Sequence, residues 1–381
     1  MTRRLFYEDS HLSQFTAQVI SCGKTDKGFE VILDATAFYP EGGGQAADTG
    51  TLNDVKVTHT FERGEQIVHL CDSPLKAGLE VEGRIDYEKR FLRMQQHSGE
   101  HMVSGIIHRR YGYHNTGFHM GNESITIDFD GVIPMEDLQA IEGEANDAVW
   151  KNLPVKCWYP GEEELKTVPY RSKKEIPWPV RIVEVPGIDI CACCGTHVAQ
   201  TGEIGLIKLF SAVPFRGGTR IEMACGKQAL EALNKAYAQN KLVSQAFSAK
   251  LGETGIAAQR MNEVVAQQKY RIVGLERRIF DSIAAGYAGR KTALHFEEGL
   301  DGTSLRELSD RMAEGCEIAA VFSGSVEAGY AYCLVAWQGD LRGFGKEMNA
   351  ALKGRGGGKP GFQQGRVQAT KAEIDAFFKK Y

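Results

Sequence analysis

Residues 190–198 read ICACCGTHV and crowd Cys191, Cys193, Cys194 and His197 into one short segment. Thiolate and imidazole are the donors that zinc and similar borderline ions take, so the segment reads first as half of a metal site. Far upstream, His97 and His101 form H-x-x-x-H. Residues four apart share one face of a helix, so both rings can reach a single ion. Taken alone, such a pair is more often a solvated or core feature. Cys193 and His197 supply the other half as C-x-x-x-H, with Gly195 between them to permit a tight turn. Two such half-sites, distant in sequence, are the usual construction of a tetrahedral zinc site. Glu100 does not convert the helix into the H-E-x-x-H of a metalloprotease, because Ser98 follows the first histidine. His114 and His119, in YHNTGFHMG, are near enough to line the same pocket, while the other histidines read as surface or network residues. Cys22, Cys71, Cys157, Cys225, Cys316 and Cys333 sit among apolar neighbours and read as small core residues.

The elements that must position these residues follow from periodicity. Between about 15 and 85, short β-like runs (TAQVISCGK, GFEVILDAT, DVKVTHTFE, EQIVHLCD, LEVEGRID) predict a small barrel or sandwich. In YEKRFLRMQQHSGEHMVSGIIHRRYG, Phe91, Met94, Met102 and Ile106 recur at helical spacing, so the histidine pair rides on an amphipathic helix. ITIDFDG reads as a strand, MEDLQAIEGEANDAVWKN as a helix and PVRIVEV as the strand leading into the cysteines, which together make an α+β core. From 226 to 285 the strand signals vanish. Leu230, Leu233 and Tyr237, then Val265, Ile272, Leu275 and Ile279, follow a/d-like spacing around GETG and predict an antiparallel helical hairpin. Strands IAAVFSG and YAYCLVAW then precede a helix and the glycine-rich LKGRGGGKPGFQQGR. The expected divisions are 1–88, barrel-like; 89–225, the zinc-binding core; 226–285, the hairpin; and 286–381, a C-terminal α/β domain.

Composition narrows the function classes. A chain of 381 residues has room for two or three cored domains. The N-terminus MTRRLFYEDSHLSQF lacks the apolar stretch of a signal peptide and no run of about 18 apolar residues occurs, so a cytosolic protein without a membrane span is expected. Nine cysteines, an odd number unevenly spread, argue for metal or free thiols over a disulfide framework. A net charge of −4 leaves nucleic-acid binding to local basic patches.

Four motifs in order resemble the editing domain of alanyl-tRNA synthetase and its free-standing relatives, the AlaX-type alanyl-tRNA editing hydrolases. TAFYPEGGGQAADTG (36–50) resembles the first editing motif and HSGEH the helix ligand pair. CCGTHV resembles the C-G-G-T-H-V segment, with Cys194 where that family has glycine, and GTRIEMACG the stretch that follows. GRGGGKPGFQQG (354–365) is similar to the glycine-rich loop of the synthetase's C-terminal DHHA1-type domain. The resemblance covers nearly the whole chain and leaves no room for an adenylate-forming domain. It implies a zinc ion, one per chain, on His97, His101, Cys193 and His197, and deacylation of tRNA(Ala) mischarged with serine or glycine. It also implies a homodimer through the C-terminal half.

The chemistry of such an editor explains the residue types. A pocket discriminates one methyl or hydroxyl by only roughly 10- to 200-fold, so a second hydrolytic site is needed. Thr36 is the candidate that the resemblance supplies for the serine hydroxyl. Gly42, Gly43 and Gly44 let backbone amides approach a ligand, and Gln45 with those amides is placed to hold water. Four protein donors usually close a structural zinc site, whereas catalytic zinc keeps a position open. Either one ligand is weak, or the ion becomes five-coordinate, or it chiefly positions the substrate; the reading taken here is positioning with Lewis-acid assistance. In the C-terminal domain, Lys353, Arg355 and Lys359 around Gly356, Gly357 and Gly358 read as a tRNA-backbone contact. No G-K-[ST] ends that run, so it is not a Walker A loop. The competing reading is a tRNA-binding module in which zinc only stabilises the fold.

Overall fold

The computed structural model describes residues 1–121, 123–172, 176 and 178–381, and it divides into two compact units, Met1–Lys241 and Leu242–Tyr381. In the first unit, six short strands close into a barrel in the spatial order Gln14–Thr25, Gly28–Leu33, Gln66–Cys71, Val55–Arg63, Gly50–Leu52 and Glu80–Ile85. Alternation decides its interior: Phe15, Ala17 and Val19 point in, as do Val31, Leu33, Val57 and Val81. Closure removes the exposed edges that a sandwich would leave.

The helix Tyr87–Tyr111 follows directly and ends where Gly112 takes a left-handed conformation and returns its amide to the His108 carbonyl at 2.8 Å. Met94, Met102, Val103 and Ile106 pack it into a core shared with the helix Leu138–Trp150 and a four-stranded antiparallel sheet. The order in that sheet is Ile207–Phe215, Gly218–Cys225, Ile125–Phe129, Asn115–Met120. A three-stranded sheet, Lys156–Trp158, Ile182–Val185 and Asp189–Ala192, delivers the cysteine segment. The unit therefore mixes helices and sheets around one core, an α+β arrangement.

Two long helices, Gly226–Ala246 and Thr254–Ala285, replace the strands beyond 225. Their a/d-type residues Leu230, Tyr237, Val265, Ile272, Leu275 and Ile279 are exposed. In the second unit a five-stranded sheet runs Thr292–Phe296, Ile318–Ser325, Gly329–Val335, Phe362–Val367, Arg355–Lys359. Successive residues serve opposite faces: Ala319 and Val321 meet Leu305, Leu308 and Met312 of one helix. Ala320 and Phe322 meet Met348, Ile374 and Phe378 on the other side.

Two expectations change. The glycine-rich run is an antiparallel strand pair, Arg355 opposite Arg366 and Lys359 opposite Phe362, and not a loop. An extended strand sends successive N–H groups to opposite sides, so the amides of Gly356, Gly357 and Gly358 cannot converge on one phosphate. Cys157 is exposed and so is not a core residue, whereas Cys22 and Cys316 are partly buried and pack against the cores.

Candidate metal centre

One face of the helix Tyr87–Tyr111 carries His97 and His101, only 2% and 3% exposed, into a cluster with Cys193 and His197. One donor atom from each of the four lies within 4.8 Å of all the others. The Cys193 sulfur is 3.4 Å from Nε2 of His97 and 3.4 Å from Nε2 of His197. A tetrahedral ion bound at 2.0–2.3 Å holds its donor atoms about 3.3–3.7 Å apart, so the sulfur and two nitrogens already sit at that spacing.

Each imidazole is aimed by a bond at its other nitrogen. His97 Nδ1 donates to Gln45 Oε1 at 3.1 Å, and that same oxygen accepts the Thr196 amide at 3.1 Å. His101 Nδ1 donates to Asp189 Oδ2 at 3.1 Å, and Asp189 is gripped by Arg171 at 2.7 and 2.9 Å. His197 Nδ1 lies 3.2 Å from Ser98 Oγ. A carboxylate and an amide oxygen only accept, so they fix the proton of His97 and His101 on Nδ1 and leave Nε2 as the nitrogen with the lone pair, which in His97 faces the sulfur. That is the tautomer that metal coordination requires.

Burial shapes the charges in the same direction. It holds His197 well below its ordinary pKa, with His97 and His101 adding to the effect, so this ring is neutral. Burial, with the neighbouring Cys191 and Cys194, pushes the Cys193 thiol up, so without a cation the sulfur keeps its proton. A bound cation reverses that preference, and binding releases the thiol proton. Burial opposes the charge on Asp189, but hydrogen bonds from His101 and Arg171 outweigh it and hold the carboxyl below its usual range. The donor chemistry, the spacing and the tautomers together fit a zinc-type ion.

The turn Gly42–Gln45 closes over this cluster. Gly42 and Gln45 exchange backbone bonds of 3.1 and 2.9 Å, and Gly43 and Gly44 between them adopt φ of 60° and 84°. These are the positive angles of a type I′ hairpin turn, which only glycine enters without strain. A side chain at Gly43 would press on Cys194 and one at Gly44 on the Phe118 ring, which stacks on His97 at 5.4 Å. At Gly195 a Cβ would collide with the His97 imidazole itself. The amide of Gly42 is used within the turn, leaving Gly43 and Gly44 as the amides outside that pair.

Gln45 is 1% exposed, and its amide group bonds to His97 and to Thr196 Oγ1 at 2.8 Å, which ties it to the histidine cluster. Thr36 lies wholly beneath the surface. His69 Nδ1 donates to the Val31 carbonyl at 3.0 Å, so its Nε2 accepts the Thr36 hydroxyl at 2.8 Å, while the Phe38 amide donates to Thr36 Oγ1 at 3.1 Å. Of the spare thiols, Cys191 is buried and groups with His101 and Asp189, whereas Cys194 is exposed and faces Gly43. His114 pairs with Asp130 at 3.0 Å. Lys353, Arg355 and Lys359 lie in the second unit, with Arg355 and Lys359 on its exposed edge strand.

Periodicity gave no warning of Arg90 and Asp48, a fully buried ion pair. Asp48 also accepts the Tyr39 amide at 2.7 Å, and Arg90 donates to the carbonyls of Ala37 and Ser10 at 2.6 and 3.0 Å. The pair clamps the segment 37–48 onto the helix two turns before His97. Asp48 lies inside the quoted motif, but its partner becomes visible only in three dimensions.

Similarity to known proteins follows the same lines. The family model for the second additional domain of threonyl and alanyl tRNA synthetases matches residues 180–222, which contain Cys193 and His197. The model for class II (A) tRNA synthetases matches residues 6–89. Alanyl-tRNA editing protein Aarsd1 of Mus musculus is 26% identical over 402 aligned positions, covering 99% of this chain and 97% of that protein. Alanine–tRNA ligase of Pyrococcus abyssi is 30% identical over 393 positions, covering 96% of this chain and 42% of the ligase. The C-Ala domain of Aquifex aeolicus alanyl-tRNA synthetase overlaps 25% of this chain and 89% of its own, at 17% identity and a TM-score of 0.22. The chain is therefore homologous along nearly its whole length to alanyl-tRNA editing proteins, and it is related to alanine–tRNA ligase.

Proposed function

We propose that this protein edits alanyl-tRNA in trans, hydrolysing the ester of Ser-tRNA(Ala), and of Gly-tRNA(Ala), to free amino acid and tRNA. The observation that carries this reading is the convergence of His97, His101, Cys193 and His197 beneath the Gly42–Gln45 turn, in a chain homologous to editing proteins from end to end. One zinc ion per chain is the cofactor assigned to that donor set; when bound, it supplies a Lewis acid that polarises the ester carbonyl or anchors the substrate.

The remaining work is done by the chain's own groups. Gln45 and Asp189 hold His97 and His101 in their coordinating tautomers, and Ser98 helps to orient His197. Phe118 covers His97 and keeps bulk water from that side. Gly43 and Gly44 supply the backbone amides, outside the Gly42–Gln45 pair, that would meet an ester oxygen. Thr36 is the proposed partner of the serine hydroxyl. Because its O–H is donated to His69 and one lone pair takes the Phe38 amide, it offers one further lone pair, which suits a substrate hydroxyl and leaves alanine without a counterpart. The aminoacyl group has to displace the residues that cover Thr36 to make this contact.

For tRNA, Lys353, Arg355 and Lys359 are the proposed phosphate contacts, joined by Arg366 opposite Arg355. The heptad-spaced, exposed Val265, Ile272 and Ile279 supply an apolar seam for a homodimer through the C-terminal half.

Four protein donors also suit a closed structural site, which favours a second reading, a zinc-stabilised tRNA-binding module without catalysis. Deacylation of Ser-tRNA(Ala), Gly-tRNA(Ala) and Ala-tRNA(Ala), with and without a chelator, separates the two. Rapid chelator-sensitive release of serine with alanine largely spared is expected. Tight tRNA binding with no hydrolysis would leave only the binding module.

A further inference from the structure

Three peptide groups of the ligand segment Cys193–Val198 are gripped at both ends. At their amide ends, Gly195 N–H donates to the Cys193 sulfur at 3.3 Å, the Thr196 amide to Gln45 at 3.1 Å and the Val198 amide to Ser98 Oγ at 3.2 Å. Their carbonyl ends are held by residues that are neither donors nor partners of the imidazoles. The Tyr7 hydroxyl donates to the Cys194 carbonyl at 2.9 Å, Arg181 to the Gly195 carbonyl at 2.9 Å and the Ser10 hydroxyl to the His197 carbonyl at 2.8 Å. The same Arg181 nitrogen also donates to the Cys193 carbonyl at 3.0 Å. A trans peptide points its C=O and N–H in opposite directions, so a held carbonyl aims the amide behind it.

Arg181 and Tyr7 are themselves fixed. Arg181 is buried, its own carbonyl accepts the Cys193 amide at 3.0 Å, and its guanidinium lies 4.7 Å over the Tyr7 ring. Bonds from a guanidinium to carbonyls are charge-assisted, and one planar group here restrains two peptides at once. The two amides aimed in this way serve the metal centre. The Gly195 amide stabilises negative charge on the Cys193 sulfur and fixes its direction, and the Thr196 amide shares the Gln45 oxygen that orients His97.

We propose that Arg181 and Tyr7 are positioning residues of the metal centre, which hold the carbonyls of residues 193–195 so that the amides of Gly195 and Thr196 face the Cys193 sulfur and Gln45. The inference rests on the zinc assignment. It goes further by placing control of the ligand segment on a cation and a phenol outside the donor set, one of them from the N-terminal segment that precedes the barrel.

Chelator competition on the full chain measures zinc affinity. It should fall about 10- to 100-fold in Arg181→Met. In Tyr7→Phe, which loses one hydroxyl and keeps the ring beneath the guanidinium, the fall should be about fivefold. Cobalt(II) in place of zinc reads the sulfur itself. The Gly195 bond lowers the energy of the sulfur lone pairs, so weakening it should move the sulfur-to-cobalt absorption to lower energy in both variants. A loss of stability alone would leave that band in place in the folded, loaded protein. Wild-type affinity in the variants, or weaker affinity with an unmoved band, therefore overturns the proposal. Should Arg181→Met fail to fold, Tyr7→Phe decides by the same two readouts. A wild-type chain that takes up neither ion overturns the zinc assignment itself, whereas uptake that neither variant alters overturns this proposal alone.

Discussion

Two sets of buried histidines in the first unit have opposite finish. His69, inside the barrel, spends one nitrogen on the Val31 carbonyl and the other on the Thr36 hydroxyl, and so is complete within the protein. His97, His101 and His197 each engage Nδ1 and turn Nε2 toward a common centre beside the Cys193 sulfur. Burial depresses the pKa of both His69 and His197, so burial and neutrality do not tell a structural imidazole from a ligand. The destination of the second nitrogen does.

The largest effect expected from this contrast is on metal. Cys193→Ser should lose bound zinc and with it deacylation, while Cys191→Ser and Cys194→Ser keep about one zinc per chain. Metal analysis of the three purified variants decides; zinc lost from Cys194→Ser and retained in Cys193→Ser would reassign the ligand.

For His69 the contrast predicts a pH effect on stability alone. Its folded pKa is lowered from 6.5 to about 4 by burial, below the unfolded value. Its contribution is therefore fully present above the unfolded pKa and is lost as pH falls from there through the folded value. The loss amounts to about 3 kcal/mol. Denaturant titrations across that window should show this slope, and His69→Gln should flatten it. An equal slope in the variant would place the sensitivity elsewhere.

Gln45→Ala removes the partner that aims His97, together with its bonds to the Thr196 amide and hydroxyl, so zinc affinity should fall about 10- to 100-fold with the fold retained. Competition with a chelator measures this. Unchanged affinity would show that Phe118 and the backbone suffice to hold the ring.

Smaller still, Thr36→Val leaves Nε2 of His69 buried without a donor and should cost about 1–3 kcal/mol of stability. The proposed serine contact adds a drop in the ratio of Ser-tRNA(Ala) to Ala-tRNA(Ala) hydrolysis. Lower stability at an unchanged ratio would leave Thr36 as the partner of His69 and nothing more. At the protein's other end, Arg355→Ala with Lys359→Ala should reduce the salt dependence of tRNA binding by about 2 in the log–log slope.

How much was legible beforehand varies with the range of the interaction. H-x-x-x-H puts His97 and His101 on one helix face from local geometry alone, and period-two alternation lays Phe15, Ala17 and Val19 along one side of a strand. The type I′ turn at Gly43 and Gly44 is likewise local. The strand pair at Arg355–Val367 escaped notice because glycine has low intrinsic β preference, and pairing with the neighbouring strand overrides it. Arg90 with Asp48, and Asp189 with Arg171, were invisible because their partners are set by packing across the chain.

By itself the sequence determined the donor inventory, the helical pairing of two histidines and the order of the motifs, since these follow from residue type and spacing. Only the tertiary structure decided which sulfur meets the imidazoles, which tautomer His97 and His101 carry, and that Gln45 stands behind His97. A hydrogen bond or a 3.4 Å approach depends on where distant segments come to rest. That is fixed by the cooperative packing of the core and by no local pattern.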